Sequence, residues 1–265
     1  MSEDHGGQSK TLIRGLSILT ACADSRRGLT LVEIAEATDL APSTVHRLLA
    51  TLESQKFLSV DPETGRWRIG VSGFRIGNAF VRARDYVTLL RPLMVELSVQ
   101  TGETVNLAIL SGGRALFVSQ VESTKMMRMV APLGSLAPLH ASGAGKALFA
   151  GLSAEERDGL VTEMEFPALT AQTLTSREAL LQETQGIVAA GCAFDREEHL
   201  EAMCCVAAPV FNEVGFPICA LSVSGPSVRI SESVLADHAA LVKSTGREAT
   251  AFLGGQPPAH WIAYV

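Results

Sequence analysis

The chain has 265 residues, of which 47% are hydrophobic and 19% charged, a composition typical of globular proteins rather than of disordered or fibrous ones. A formal net charge of −6 gives no overall attraction to nucleic acid or to anionic lipid. The longest clear apolar run, Met203–Phe211, is far shorter than the roughly 18 to 20 residues needed to cross a bilayer, which excludes a membrane-spanning protein.

The first ten residues and the cysteines indicate a compartment. The segment MSEDHGGQSK is polar and has two acids before its only lysine, which predicts neither a secretion signal nor a basic transit peptide. The cysteines form no C-x2-C pair and are odd in number, which favours reduced thiols, mostly in the core: Cys22, Cys192, Cys204, Cys205 and Cys219. We therefore expect a cytoplasmic protein with no membrane partner.

The first 70 residues have the patterns of short helices followed by a hairpin. Thr30 and Glu33 form a capping box, and Pro42 suits a first helical turn. The predicted elements are helices over 9–23, 31–38 and 42–55, and a β-hairpin that pairs Leu58–Val60 with Trp67–Ile69. This order is typical of a winged helix-turn-helix, whose third helix enters the major groove of DNA.

The third predicted helix has one apolar and one polar face. Residues Val45, Leu48, Leu49 and Leu52 fall on one side, and a small polar surface around Arg47 lies opposite. Such a surface permits close approach to base edges and a forked arginine contact to guanine. The candidate DNA-binding residues are Ser43, Thr44, His46, Arg47 and Thr51 on this helix, and Arg66 and Arg68 in the wing. The alternative is a small helical bundle with a solvated face.

A basic stripe follows the hairpin: from Arg66 to Arg91 there are six arginines and a single acid, Asp85. Residues 71–101 have helical periodicity, and 71–84 suit a linker helix with an apolar side of Phe74, Ile76, Ala79 and Phe80. The later patterns predict strands over 105–110, 115–121, 126–131, 204–211 and 218–223, and helices over 154–160, 176–189 and 231–253.

These patterns divide the chain into parts. We predict a winged helix-turn-helix domain over 1–70, a linker helix over 71–84, a mixed α and β domain over 85–253 and a loose tail over 254–265. The fold class is therefore α+β, with mainly antiparallel strands in the second domain.

The string His140–Lys146, HASGAGK, is the most informative one in the second domain. Its glycines bring the backbone close to a neighbour, and amides that open a helix can seat an anion. The string lacks the frame of a nucleotide-binding P-loop, and Ser142 lacks that of a nucleophile elbow. Simple packing is the alternative to a binding site.

Two further strings contain polar groups. The segment FDREEH, 194–199, precedes an apolar strand, and Asp195, His199 and Cys205 are conceivable metal ligands, although no spacing is diagnostic and a solvated loop is favoured. Ser222 and Ser224 point to the same face of a strand and could donate hydrogen bonds to a ligand or simply end the strand.

Together these strings resemble the IclR family of bacterial transcriptional regulators, and most nearly its acetate-operon repressor branch. The resemblance covers residues 9–253 in order and rests on STVHRLLATL (43–52), PLHASGAGKALFA (138–150), FDREEH (194–199), CVAAPVF (205–211) and LSVSGP (221–226). It implies a winged helix joined by a linker helix to a GAF-like effector domain. It also implies dimers or tetramers on operators with inverted-repeat symmetry, acting as repressors or activators, and small oxo-acid effectors such as glyoxylate and pyruvate.

The resemblance also implies a ligand cavity. Its residues would be Met126, Met129, Gly143, Ala144, Asp195, Met203, Cys205, Ser222 and Ser224. Cys204 stands where the family has a basic or polar residue, and Arg196 lies beside Asp195, so the identity of the ligand does not transfer. The resemblance requires no cofactor and no catalytic residue, although some members hold a metal in this pocket.

Two other function classes compete with a regulator. A pocket with Ser, Asp, His and Cys could belong to an enzyme, but no nucleophile and base stand at a recognisable spacing. The N-terminal helices could instead form a protein-interaction module. We predict a DNA-binding regulator, most simply a repressor of a catabolic operon controlled by a small carboxylate, and keep an enzyme acting on small molecules as the alternative.

Overall fold

A computed structural model describes residues 9–25, 27–82 and 85–261. The chain divides between Arg84 and Asp85 into two compact units, which we describe separately. None of the helices in the described ranges is long and apolar enough to cross a membrane.

The first unit contains helices α1 to α4 and a two-stranded hairpin. Their bounds are α1 (Lys10–Asp24), α2 (Leu31–Thr38), α3 (Pro42–Ser54), β1 (Leu58–Val60), β2 (Trp67–Ile69) and α4 (Val71–Arg82). The capping box of α2 is present, since Thr30 Oγ1 accepts from the Glu33 N–H and Glu33 accepts from the Thr30 N–H. The hairpin is antiparallel and pairs Leu58 with Ile69 and Val60 with Trp67. The predicted helix-turn-helix and wing are thus observed.

The core of this unit joins α1, α2, α3 and β1. Its buried residues are Ile18, Cys22, Ile34, Ala35, Val45, Leu48, Leu49 and Leu58. Over its described part, helix α4 contributes no residue to this core, and its apolar side chains Phe74 and Ile76 are 67% and 61% exposed. Residues 83 and 84 of the predicted linker, and the side chains of residues 81 and 82, lie outside what the structure describes.

The second unit is a sheet with helices packed against it. Its elements are α5 (Asp85–Leu89), α6 (Arg91–Thr101), β3 (Thr104–Ser111), β4 (Arg114–Val121), β5 (Leu136–Pro138), α7 (Gly143–Gly151), α8 (Ala154–Glu163), α9 (Arg177–Ala190), β6 (Ala193–Arg196), β7 (Met203–Phe211), β8 (Pro217–Pro226) and α10 (Glu232–Phe252). The strand order is β5-β4-β3-β8-β7-β6, and neighbours run antiparallel. Strand β7 is buried along its whole length, since α7 and α10 both pack against it.

The predicted strand over 126–131 is wrong. The segment is irregular because side chains, rather than a neighbouring strand, bond its carbonyls. Thr104 Oγ1 donates to Met129 O at 2.7 Å, and Gln120 Nε2 donates to Ala131 O at 3.0 Å. The edge strand is instead β5, a few residues later.

The predicted solvated loop at 194–199 is also wrong, because its first half is a strand and Glu198 in its second half is buried. Residues 193–196 form β6, which pairs with β7 so that Asp195 lies opposite Cys205. The predicted loose tail is likewise corrected over its described part. Trp261 is fully buried against Phe211, with ring centroids 5.4 Å apart, and the Gln256 N–H donates to Asn212 O.

Candidate functional site

Helix α3 presents the polar face predicted from its sequence. Val45, Leu48 and Leu49 are buried in the core of the first unit. The opposite side is exposed at Ser43, His46, Arg47, Ala50 and Thr51, and Thr44 is half-buried. Among these, Thr51 Oγ1 donates to the Arg47 carbonyl at 3.1 Å, which holds the threonine against its own helix. Arg47 therefore stands at the centre of an exposed face of small polar residues.

The two wing arginines have different environments. Arg66 Nη1 donates to Glu33 Oε2 at 3.0 Å and to Gly28 O at 2.7 Å, while Nη2 donates to Glu33 Oε1 at 3.3 Å. Arg66, a candidate DNA-binding residue from the sequence, is thus bonded within its own domain. Its guanidinium fastens the wing to the start of α2, and Arg68 is the wing arginine that is exposed.

In the second unit a small cavity lies between the start of α7 and the polar ends of β3, β6, β7 and β8. Its volume is about 30 Å³. At ~10–15 Å³ for each water-sized sphere, this suits a molecule of few non-hydrogen atoms. The lining residues are Asn106, Phe117, Met129, Ala131, Ser142, Gly143, Ala144, Asp195, His199, Met203, Cys205, Ser222 and Ser224.

The structure brings together all but one of the predicted cavity residues. Met126 is the exception, since it is 98% exposed and does not line the cavity. The assignment of Met126 as an apolar wall is therefore wrong. Its position follows from the irregular path of 126–131, in which Met129 is the methionine that reaches the cavity.

The start of α7 gives the cavity its amide donors. Ser142 is the N-cap: its Oγ accepts from the Gly145 N–H at 3.1 Å and donates to Pro138 O at 2.7 Å. The N–H groups of Gly143 and Ala144 belong to the first turn and have no acceptor within the helix. They are next to the cavity at the positive end of the helix dipole, which favours an anion.

Gly143 is required by its neighbour on β7. A Cβ on Gly143 would lie 2.9 Å from Cys205 Sγ, closer than real Cβ atoms approach other heavy atoms. Glycine therefore lets the helix start lie directly on the sheet, with its amides at the cavity wall.

Asp195 is the acidic group of the cavity and is 1% exposed. Its Oδ1 accepts from the Glu198 N–H at 2.8 Å and the His199 N–H at 3.3 Å. Its Oδ2 is buried and has no hydrogen-bond partner among the described residues. Burial raises the pKa of Asp195 to about 7, and the nearby charge of Glu198 adds to this effect. The unpartnered oxygen can thus carry a proton near neutral pH and donate a hydrogen bond to a ligand.

Cys205 is a poor nucleophile and a poor metal ligand. Burial, followed by the charge of Asp195, raises the pKa of its thiol to about 12, so the thiol stays neutral. Within the described ranges, no three His, Cys, Asp or Glu side chains are placed so that they could hold a metal ion.

The long side chain of Lys146 predicts that its ammonium reaches solvent, but the structure shows it buried. The residue is 1% exposed, and its ammonium lies 2.7 Å from Glu198 Oε1 and 3.6 Å from Glu183 Oε1. The ion pair connects α7 to the turn after β6, because the Glu198 backbone N–H also donates to Asp195.

Sequence reasoning missed five lining residues: Asn106, Phe117, Ala131, Ser142 and His199. Asn106 lies opposite Ser222 in the ladder of β3 and β8, and its Nδ2 donates to Ser224 Oγ at 3.4 Å. Gln120 Nε2 donates to Asn106 Oδ1 at 2.7 Å and fixes the amide. The available signal was an asparagine within an otherwise apolar strand, since buried amides usually have a specific partner.

Comparison with protein families identifies this architecture. A model of the IclR helix-turn-helix domain matches residues 11–62, and a model of the C-terminal part of bacterial IclR transcriptional regulators matches residues 78–251. The chain belongs to the IclR family. It is therefore a DNA-binding transcriptional regulator, with a helix-turn-helix domain followed by an α/β domain.

Individual members of the IclR family are similar over nearly the whole chain. The transcriptional repressor IclR of Escherichia coli K12 is 38% identical over 251 residues, which are 94% of this chain and 92% of the relative. The regulator BhcR of Paracoccus denitrificans is 42% identical over 247 residues, 93% and 88% of the two chains. Both are regulators, which contradicts the alternative that this chain is an enzyme.

A solved structure shares the fold. The IclR homolog of Microbacterium hydrocarbonoxydans, crystallised with 4-hydroxybenzoate, superimposes with a TM-score of 0.71 at 23% identity, over 90% of this chain and 99% of the homolog.

Proposed function

We propose that this chain represses transcription by binding an operator through α3 and the wing, and that a small carboxylate in the small cavity controls this binding. We place this activity in the cytoplasm, at the operator of a catabolic operon. The observation that carries the effector proposal is the cavity itself, which is lined both by two helix-start amides and by a buried carboxyl group with an unpartnered oxygen.

The DNA-binding surface is assigned to the exposed face of α3 and to Arg68. Arg47 is the side chain on that face suited to a forked contact with guanine, and the small residues around it permit close approach. Arg68 is placed to contact phosphate, because its wing is held against α2 by Arg66. The hydroxyls and imidazole of Ser43, Thr44, His46 and Thr51 complete the surface.

The chemistry of the cavity favours a carboxylate. The amides of Gly143 and Ala144 and the hydroxyls of Ser222 and Ser224 are hydrogen-bond donors. A charged Asp195 would repel an anion, but the raised pKa leaves a protonated carboxyl that donates instead. Short oxo and hydroxy acids meet both requirements, since one end accepts from the amides and the other accepts from the acid.

We infer repression from the names of the relatives, and assembly into a dimer or tetramer from the number of half-sites that one copy can cover. The Escherichia coli relative is a repressor by name. One recognition helix and one wing cover a single half-site, and tight operator binding usually requires two. We assign the exposed apolar residues of α4, such as Phe74 and Ile76, to the contact between copies in a dimer or tetramer. Sedimentation should show no stable monomer at micromolar concentration, and footprints should have inverted-repeat symmetry.

The effector proposal is tested by calorimetry with acetate, glycolate, glyoxylate and pyruvate, followed by a gel shift on the upstream DNA of the gene. The double change Ser222→Ala with Ser224→Ala should cost about 1 to 3 kcal/mol of acid binding through lost hydrogen bonds to a charged group. Operator affinity without acid should stay the same. A matched control is Ser233→Ala with Ser244→Ala, two exposed serines of α10.

If the double serine variant binds the acids with wild-type affinity, the effector binds at another site. Failure of every small acid to bind or to change the gel shift would overturn the effector proposal.

A further inference from the structure

A second and larger cavity lies beside the small one. Its volume is about 470 Å³, and apolar side chains such as Leu139, Leu160 and Leu169 line it together with Arg114 and His140. The two cavities lie on either side of the turn that leads into α7. Residues 138–140 of this turn line the large cavity, and residues 142–144 line the small one.

Among the described residues, His199 is the one that lines both cavities. Its backbone N–H donates to Asp195 Oδ1 at 3.3 Å, which fixes the start of the side chain at the acidic end of the small cavity. Thr170 Oγ1 donates to the carbonyl of Glu197 at 2.6 Å and Thr173 Oγ1 donates to that of Glu198, also at 2.6 Å, so the preceding turn is held as well. The backbone of His199 is therefore fixed, and the residue is half-buried where it lines the two spaces.

The two cavities are bordered both by the main-chain turn 138–144 and by the side chain of His199, and these differ in how easily they can move. The turn at 138–144 is main chain that is tied into the sheet, since Ser142 Oγ donates to Pro138 O and a Cβ on Gly145 would meet that same carbonyl at 2.6 Å. A ligand cannot displace it without disrupting the start of α7. The imidazole of His199 is, by contrast, a single side chain, on the residue that lines both the space of about 30 Å³ and the one of about 470 Å³.

We propose that the His199 ring sets the length of the acid that this regulator accepts, by closing the effector cavity against the larger one. With the ring in place the effector is limited to a short acid that spans the α7 amides and Asp195. Without it, a longer acid can keep its carboxylate at the amides and extend an aliphatic or aromatic body among Leu139, Leu160 and Leu169. This inference rests on the proposed effector site and adds the residue that determines its specificity.

The His199 ring carries no charge that would oppose a longer ligand. Burial, followed by the positive charge of Arg114, holds the pKa of His199 below its usual range, so the ring is neutral at neutral pH. The charged and titratable groups that act on the ring are Arg114 and His140. Glu163 and Glu165 also line the larger cavity, which is assigned to the uncharged body of the ligand and not to its carboxylate. The volume of the His199 ring, and not its charge, therefore selects the length of the acid. A neutral side-chain ring of similar size at position 199 should give the same selection.

The experiment measures affinity by calorimetry for two short acids, acetate and glyoxylate, and two long ones, hexanoate and 4-hydroxybenzoate. Wild-type protein should bind the short acids and discriminate against the long ones. His199→Ala should raise the affinity for long acids relative to short ones by roughly tenfold or more, the scale on which a pocket discriminates added methylene groups. His199→Phe, which keeps the bulk of the ring, should retain the preference of the wild type.

Two controls test whether the closure between the cavities, rather than the size of the larger one, sets the preference. His140→Ala enlarges only the large cavity and should leave the preference unchanged. A second measurement needs no variant: along the series from acetate to hexanoate, wild-type affinity should fall abruptly rather than rise with each added methylene.

The outcomes separate the inference from the proposed function. If wild type binds short acids and His199→Ala leaves the ratio unchanged, the inference is wrong and the effector site stands. A steady rise of wild-type affinity with chain length would also overturn it. If no acid binds at all, the proposed function fails and the inference fails with it.

Discussion

The ammonium of Lys146 lies 2.7 Å from Oε1 of Glu198, and both side chains are buried. Lys146 belongs to the first turns of α7, whereas Glu198 follows β6, and its backbone N–H donates to Asp195 at 2.8 Å. The pair therefore connects the helix that provides the cavity amides to the turn that holds the cavity carboxyl group. A buried ion pair of this kind is costly to break on one side.

We predict that Lys146→Met lowers the free energy of unfolding by about 3 to 5 kcal/mol, because it leaves a buried carboxylate without its cation. The double change Lys146→Met with Glu198→Gln should recover a large part of this loss, since neither charge remains. Denaturation in urea measures both. Additive losses in the double variant would show that the two groups do not act as a pair.

Asp195 should make stability depend on pH. Its pKa is about 7 in the folded chain against 3.8 for an ordinary aspartate, so the folded state holds a proton that the unfolded state releases. The contribution of Asp195 to the free energy of unfolding therefore decreases as pH rises from about 4 to about 7. Above that range it no longer changes with pH. Asp195→Asn removes this titration. The stability of the variant relative to wild type should therefore increase by about 2 to 3 kcal/mol between pH 5 and pH 8.

Urea denaturation of both proteins at these two pH values is the measurement. A difference between them that does not change with pH would mean that Asp195 is ionised throughout. The comparison cancels the titration of every other group that the two proteins share.

Arg47→Ala should weaken binding to the specific operator by about 1 to 3 kcal/mol, as expected for loss of a forked base contact. Binding to unrelated DNA should change much less. A gel shift with operator and scrambled DNA measures the two affinities. His46→Ala, on the same exposed face, is a neighbouring variant for comparison, and wild-type operator affinity in Arg47→Ala would contradict the assignment of α3.

The wing arginines should behave differently. Arg68→Ala should weaken binding to any sequence and reduce the slope of log affinity against log salt by about one, as loss of one phosphate contact does. Arg66→Ala should leave the slope near that of wild type, since the guanidinium is bonded to Glu33 and Gly28, and should act by loosening the wing. Equal loss of slope in the two variants would show that Arg66 leaves Glu33 to contact DNA.

Gly143 and Cys205 should be coupled. Gly143→Ala places a Cβ 2.9 Å from the cysteine sulfur and should cost about 1 to 3 kcal/mol of stability through overpacking. Cys205→Ala removes that sulfur, so the double change should be more stable than the sum of the two single losses predicts. A double-mutant cycle in urea measures the coupling, and strict additivity would contradict the close approach.

The sequence determined the first unit almost completely because its signals are local. The capping box of Thr30 and Glu33, Pro42 at the start of α3 and the turn of the hairpin all act within a few residues, and the helical apolar stripes then leave one way to form a core. The glycine-rich string likewise predicts a helix start next to another chain segment, as Gly143 and Gly145 require.

Tertiary structure decided the rest, because burial of polar groups depends on partners far along the chain. Asp195 lies in a polar string and is buried only because β6 pairs with β7, where Cys205 faces it. Lys146 is buried only because Glu198, 52 residues away, provides the opposite charge. No local pattern encodes such pairs, since the cost of burying a charge is offset by whichever group the fold brings to it.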